Sequence, residues 1–246
     1  MKPNRIKTGV PGLDKMLGGG IPEGRVVLLV GGPGTGKTIF CSQFLVNGIE
    51  MYGDNGVFVS LDEGKSPYLR EMSVFGWGLE KLEQDKRWSF VNASPIKHTI
   101  SKNEISNISI GSKDFSLLNL ISEIKNKVDE IKAKRVVVDP ITSLVFQYPD
   151  VINRRTAILN IVEGLTEIGV TSMVTTELKT SGFERNIQLE EYLAHGVIVL
   201  QTLQVGKTSI RAIQIEKMRE TSIDPQIRPY RITEKGIEIY PKESVF

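Results

Sequence analysis

The sequence predicts an α/β fold: a mostly parallel, twisted sheet flanked by helices, with antiparallel strands toward its C-terminal end. Three observations predict it. Short β-rich runs, VVLLVG (26–31), GVFVSL (56–61), RVVVD (135–139) and TSMVTT (171–176), alternate with segments of helical spacing at about 36–51, 66–76, 114–132 and 153–168. Such alternation calls for parallel strands joined by helical crossovers on both faces. After residue 176 the pattern changes to strands without long helices, GVIVLQTL (196–203), KTSIRAIQIEKM (207–218) and GIEIYP (236–241), which predicts an antiparallel extension of the same sheet. Finally, the first β-run enters a glycine-rich turn that opens directly into an amphipathic helix, KTIFCSQFLVNGIEMYG.

A chain of 246 residues with 40% hydrophobic content has room for one large α/β domain, and residues 1–246 are expected to form it. The longest apolar runs, such as VVLLV at 26–30, are far too short to cross a bilayer, so no membrane association is expected. Thirty-one basic residues against 29 acidic ones leave a net charge of +2, and no global basic field recruits nucleic acid. A single cysteine, Cys41, excludes an internal disulfide framework. The N-terminus, MKPNRIKTGVPG, lacks the apolar core of a signal peptide, and a cytoplasmic location is the expectation. Residues 94–113 are polar and aperiodic and read as a long loop.

The glycine-rich turn is GGPGTGKT, residues 31–38, which fits G-x-x-x-x-G-K-[ST] at Gly31, Gly36, Lys37 and Thr38. A strand before it and a helix after it supply the context in which backbone N–H groups and a helix N-terminus hold phosphate. Gly32, Gly34 and Gly36 let the N–H groups turn inward, Lys37 brings a point charge to the β- and γ-oxygens, and the Thr38 hydroxyl can ligate Mg²⁺. The expected nucleotide-contact set in this loop is Gly32, Gly34, Thr35, Gly36, Lys37, Thr38 and Ile39.

Hydrolysis at such a loop also needs a carboxylate on the metal side and a group that orients the attacking water. Asp139 ends the apolar run RVVVD, beside the phosphate loop, and is the expected partner of the Mg²⁺ hydration shell. Asp62 and Glu63 emerge from VFVSLDEG at the edge of the sheet where parallel α/β folds bind ligands.

Weaker features carry ordinary roles. Glu177 ends MVTTE and could sense the γ-phosphate through Thr175 or Thr176, or simply face water. His98 and His195 have no Cys or His partner at metal-ligand spacing and are expected in surface or core roles. Arg154 and Arg155 stand at a helix start and are expected to be solvated. Phe75 and Trp77 end an amphipathic helix, where aromatic residues usually join the core. In LKTSGFERNIQLEEY, Lys179, Phe183 and Arg185 could touch single-stranded DNA, but three glutamates oppose it.

In the strand ending QIEKMRE, Ile213, Ile215, Lys217 and Arg219 share one parity, so a face that begins apolar ends in two cations. The strand is therefore expected to leave its core near Glu216 and present both outward.

The blocks TGVPGLDKMLGGGIPEGRVVLLVGGPGTGKT, VFVSLDEG, SVFGWGLEKL, RVVVDPITSL, GVTSMVTTE, GVIVLQ, KMRET and RPYRITEKGIEIYP occur in the order seen in the single-domain archaeal KaiC-like ATPases. Over residues 6 to 241 the chain resembles that family, part of the wider RecA/RadA group of P-loop proteins. The resemblance implies a RecA-like P-loop NTPase core, ATP with Mg²⁺ as ligand, and a homo-oligomer, a hexameric ring with ATP between subunits. It also implies that Lys217 and Arg219 reach the γ-phosphate held by a neighbour, and that Thr221, Thr233 and Glu234 contact nucleotide across the interface. Ile223 replaces a usual histidine there. The family carries two glutamates where this chain has Asp62 and Glu63, and the first position is the water-orienting one. Either Asp62, one methylene shorter, reaches the water poorly or Glu63 shares the role, and slow hydrolysis is implied in both cases. Glu191 and Tyr192 fall where the clock protein KaiC has its phosphorylated Ser-Thr pair, so a circadian autokinase is not implied. The function expected is a ring ATPase that regulates a protein partner not named by the sequence, with phosphotransfer to some other residue left open. The alternative is a RadA paralogue that binds single-stranded DNA and modulates recombination.

Overall fold

The computed structural model of the chain describes residues 3–93, 117–145, 147–148, 150–178, 180–181 and 184–245. The expected loop at 94–113, with His98, and the positions Lys179 and Phe183 lie outside the described residues.

The main sheet is built from β1 (Val26–Gly31), β2 (Gly56–Ser60), β3 (Trp88–Asn92), β4 (Arg135–Asp139), β5 (Thr171–Glu177), β6 (Gly196–Val205), β7 (Thr208–Met218), β8 (Arg228–Thr233) and β9 (Gly236–Ile239). Among the described residues its spatial order is β9-β8-β7-β6-β1-β5-β4-β2-β3. Helices α1 (Lys37–Tyr52), α2 (Lys65–Met72), α3 (Leu79–Gln84), α4 (Leu117–Ile131), α5 (Val151–Ile168) and the short α6 (Leu189–Leu193) complete the layers. Strands β1, β2, β4 and β5 are buried at nearly every position because both faces are covered. One core lies under α1, α2 and α3, with Phe40, Phe44, Phe58 and Tyr68. The other lies under α4 and α5, with Val136, Val138, Ile124 and Ile161. No helix among the described residues is long and apolar enough to cross a membrane.

The parallel core and its antiparallel extension are present, with one shift. The run at 196–203 was expected to begin the antiparallel part, yet β6 pairs parallel to β1, Gly196 against Val27 through Leu200 against Gly31. Antiparallel pairing starts at β7. The return from β5 is made by the single turn of α6 and the segment around it, too short to carry a helical-period signal. Strand β3 and helix α3 are further additions. Trp88 and Phe90 join Phe58 and Tyr68 in an aromatic cluster, with Tyr68 and Trp88 stacked at 6.0 Å.

The parity expected for Lys217 and Arg219 is corrected by a β-bulge. Val197 pairs with Lys217 but Ile198 pairs with Ile215, so Glu216 is the extra residue and the register slips by one. Beyond the bulge Met218, not Lys217, takes the place under Ile213 and Ile215 in the core. Lys217 crosses to the opposite face. A strand that loses one step of alternation exchanges its faces, which restores an apolar residue to the core just where the sequence offers a cation.

Candidate functional site

Strand β1 ends at Gly31, and the chain turns through residues 32–36 into α1, whose first residue is Lys37. Gly34 and Gly36 hold φ of 73° and 87°, a left-handed backbone that aims successive N–H groups inward. The loop is braced from behind. Thr35 Oγ1 donates to the Gly32 carbonyl (2.8 Å), and the Tyr230 hydroxyl donates to the Thr35 carbonyl (2.6 Å). A Cβ at Gly36 would stand 2.9 Å from the Ile232 Cδ1, so β8 is packed directly on the loop. Lys37 Nζ donates to the carbonyls of Gly31 (2.8 Å) and Gly32 (3.2 Å), folding back over the loop it belongs to. Burial lowers its pKa, against the opposing charges of Asp139 and Glu177.

Asp139, at the end of β4, is 8% exposed. Its Oδ2 accepts from the Thr38 hydroxyl at 2.7 Å and its Oδ1 from the Thr175 hydroxyl. Burial raises its pKa, while those two hydroxyls and the Lys37 charge pull the other way. Thr38 and Asp139 thus stand together as hard oxygen donors at the loop. Among the described residues no cluster of three or more His, Cys, Asp or Glu could hold a metal by itself. A cation here would draw most of its ligands from phosphate and water, which is how Mg²⁺ is held at nucleotide sites.

Lys37, Thr38, Ser60, Asp62, Glu63, Asp139, Pro140 and Glu177 line one cavity of ≈ 310 Å³. The expected acids therefore meet the expected loop, and Glu177 joins them. Asp62 and Glu63 differ in their surroundings. The Ser143 hydroxyl donates to Asp62 Oδ1. Glu63 is turned by a bond from its own N–H to Ser60 Oγ (3.0 Å), and its carboxyl pKa is raised, first by burial and then by Glu71, Asp139 and Asp62. Ser60, Ser143 and Tyr230 went unread in the sequence, since isolated hydroxyls carry no spacing signal. Ile39 and the rest of the loop line a second cavity of ≈ 360 Å³ on the other flank, closed by Glu71, Met72, Val74 and Phe75. Phe75 stacks on Trp77 at 4.6 Å, and both are half-buried against the core.

The remaining expected residues do not come together. Thr233 and Glu234 sit in the β8–β9 turn, next to Ile232 and so beside this chain's own loop. The Thr233 hydroxyl holds that turn by donating to the Gly236 carbonyl (2.9 Å). Lys217, Arg219 and Thr221 lie at the opposite edge of the sheet. Lys217 is level with Val197 and hence Leu28, while the Arg219 N–H donates to the His195 carbonyl (2.9 Å), next to Val26. Five residues of strand separate Val26 from Gly31, about 16 Å at roughly 3.3 Å per residue. The segment is fixed there. Arg5 donates to the Glu220 carbonyl (2.8 Å) and Thr221 Oγ1 (3.0 Å), and Arg25 pairs with Glu220 at 2.6 Å. Lys217 Nζ donates to three carbonyls at the end of α6, those of Ala194 (2.7 Å), Tyr192 (3.1 Å) and Glu191 (3.2 Å). His195 is buried, as a core histidine, with Nδ1 accepting from the Val26 N–H at 3.1 Å.

This geometry has counterparts in known proteins. The family model described as the ATPase KaiC matches residues 6–244. A UPF0273 protein of Thermotoga maritima is 35% identical over 242 residues, covering 97% of both chains. The circadian clock protein KaiC3 of Synechocystis is 33% identical over 243 residues, covering 98% of this chain but 46% of its own length. The crystal structure of a KaiC-like protein from the hyperthermophilic archaeon Pyrococcus horikoshii superposes with a TM-score of 0.81 at 37% identity, covering 97% of this chain and 99% of that one. With the phosphate loop, the buried aspartate and the acid pair placed as described, the match over nearly the full length means that the chain belongs to the KaiC family of ATPases.

Proposed function

We propose that the chain is a ring-forming, slowly hydrolysing ATPase, a hexamer with ATP at its subunit interfaces, whose nucleotide state regulates a protein partner. The observation that carries this reading is the single cavity in which Lys37, Thr38, Asp139 and the pair Asp62–Glu63 converge. Those residues divide the work. Lys37, released from the Gly31 and Gly32 carbonyls, pairs with the β- and γ-phosphates, and the inward N–H groups of residues 32–36 hold the same oxygens. Thr38 and Asp139 would hold Mg²⁺, which when bound neutralises charge on the phosphate oxygens. Glu63, its carboxyl pKa raised by burial, takes the proton of the attacking water, and Asp62, tied to Ser143, fixes that water's direction. The cavity bounded by Val74 and Phe75, which adjoins the phosphate loop, would receive the purine.

Lys217 and Arg219 complete the site from a neighbour. Their place at the far edge of the sheet puts this chain's own cradle out of their reach, which supports delivery in trans. An arginine so supplied contributes about 10³–10⁵ in rate, roughly 4–7 kcal/mol of barrier. The test is complementation. Arg219→Ala should bind ATP yet turn over almost none, Lys37→Ala should also be inactive, and mixing the two should restore activity. Each mixed interface can join an intact loop to an intact arginine. No recovery between subunits that demonstrably exchange would overturn delivery in trans.

A further inference from the structure

The short helix α6 joins the nucleotide cavity at one end to the far-edge cations at the other. Its start is tied to β5. The Gln188 side chain donates to the Glu177 carbonyl, and the Gln188 N–H donates to Glu191 Oε1 (2.8 Å) in a capping box. Two residues on, Glu190 sends its carboxylate back to the same strand, where Oε1 accepts from the Thr176 hydroxyl at 3.0 Å. Glu190 is 7% exposed and Thr176 is 0% exposed. The Thr142 hydroxyl stands 3.4 Å from that of Thr176 and accepts from the Glu177 N–H at 3.3 Å. The other end of α6 begins from Glu190 as well. Its carbonyl accepts from the Ala194 N–H (3.0 Å), closing the turn whose Glu191, Tyr192 and Ala194 carbonyls receive Lys217.

A buried carboxylate costs free energy unless it is hydrogen-bonded, and an apolar residue would fill the same space without that cost. What the carboxylate adds is a directional tie between α6 and Thr176, the neighbour in sequence of the cavity residue Glu177. Lys217 in turn follows the bulged Glu216 and precedes the Met218 that is anchored in the core, so the carbonyl cluster of α6 sets the end of β7 from which Arg219 projects.

We propose that Glu190 is a positioning residue for the reaction in the adjacent subunit: through Thr176 it fixes α6, and through the carbonyls of α6 it sets where Lys217 and Arg219 stand. The proposal rests on the reading that these two cations act in trans.

The experiment places Glu190→Ala in a complementation group. Its own phosphate loop is intact, so its ATP affinity should stay within about twofold of the parent while turnover falls by at least tenfold. Mixed with Lys37→Ala subunits, which keep Glu190 and Arg219, it should recover activity; mixed with Arg219→Ala it should not. Glu190→Gln, which keeps an acceptor for Thr176, should approach parent turnover. A residue that merely supports its own subunit's cavity would behave the other way, recovering with Arg219→Ala and not with Lys37→Ala, and that result overturns the proposal. Unchanged turnover in Glu190→Ala overturns it too. If that variant does not fold, Thr176→Val is read in the same mixtures with the same outcomes. The pair Arg219→Ala with Lys37→Ala runs beside them: its failure removes the trans reading itself, whereas its success with Glu190→Ala in the wrong group removes only the role of Glu190.

Discussion

Asp62 and Glu63 are adjacent in sequence and line the same cavity, yet only Asp62 accepts a hydrogen bond from Ser143. One carboxylate is committed to a neighbour. The other is half-buried beside Glu71 and Asp139, with its pKa raised mainly by loss of solvent.

That difference predicts a division of labour between the acids. Glu63→Gln should lower kcat by about 10²–10⁴, the usual contribution of a general base, with ATP affinity little changed. A base works deprotonated, so parent activity should fall as pH drops through the pKa of Glu63, which burial raises from its ordinary value. The acid limb should vanish from the residual activity of Glu63→Gln. Ser143→Ala, which loosens Asp62 without altering its charge, should cost only a few-fold. Asp62→Glu is the opposing test. If the longer side chain speeds hydrolysis and Glu63→Gln keeps the acid limb, the first acid is the base and Glu63 is not.

Thr38 and Asp139 predict a metal dependence. Their 2.7 Å hydrogen bond places the hydroxyl and the carboxylate where one cation could take a ligand from each side of the loop. Thr38→Val keeps the shape and removes the oxygen. It should raise the Mg²⁺ concentration needed for half-maximal turnover by about 10–100-fold, in the range found when a metal's supporting ligands are altered. Nucleotide binding measured without Mg²⁺ should change much less, because Lys37 and the loop N–H groups remain. An equal loss in both measurements would mean that Thr38 shapes the loop rather than serving the metal.

The phosphate loop and the two strand-end acids were legible because their chemistry sits in contiguous residues and their strands are apolar on both faces. Lys217 was legible as an unusual residue but not as a placed one. Its parity in the sequence runs straight from Ile213 and Ile215, and only the pairing of β6 with β7 reveals that Glu216 is skipped. A bulge is a property of two strands, and one strand's alternation cannot report it. The link through Glu190 was hidden for a similar reason. Five residues of α6 carry too little periodicity to be read, and Thr176 and Glu190, 14 positions apart, become neighbours only once β5 is folded. Ser143 meets Asp62 across 81 positions. Within one chain Thr233 and Glu234 stand apart from Thr221, since the hairpin they close lies at the opposite edge of the sheet, a separation that block order in the sequence does not report.

His195 predicts how stability responds to acid. Its Nδ1 accepts from the Val26 N–H, so the ring must be unprotonated there, and the carbonyl of the same residue anchors Arg219. Burial lowers its pKa from 6.5, and Arg25, Arg219 and Lys217 lower it further, with Glu220 opposing them. The sign follows from proton counting. Below about pH 6.5 the unfolded chain takes up a proton on this ring that the folded chain refuses, so the unfolded state binds more protons and stability falls as pH falls. The contribution is whole above that value and erodes as pH drops through the depressed folded pKa, with a slope of at most one proton. His195→Asn offers an amide oxygen to the Val26 N–H and cannot ionise. Its midpoint of denaturation should therefore decline less between pH 6.5 and 5 than the parent's, even if it starts lower. Parallel declines in the two proteins would show that the acid sensitivity arises at other groups.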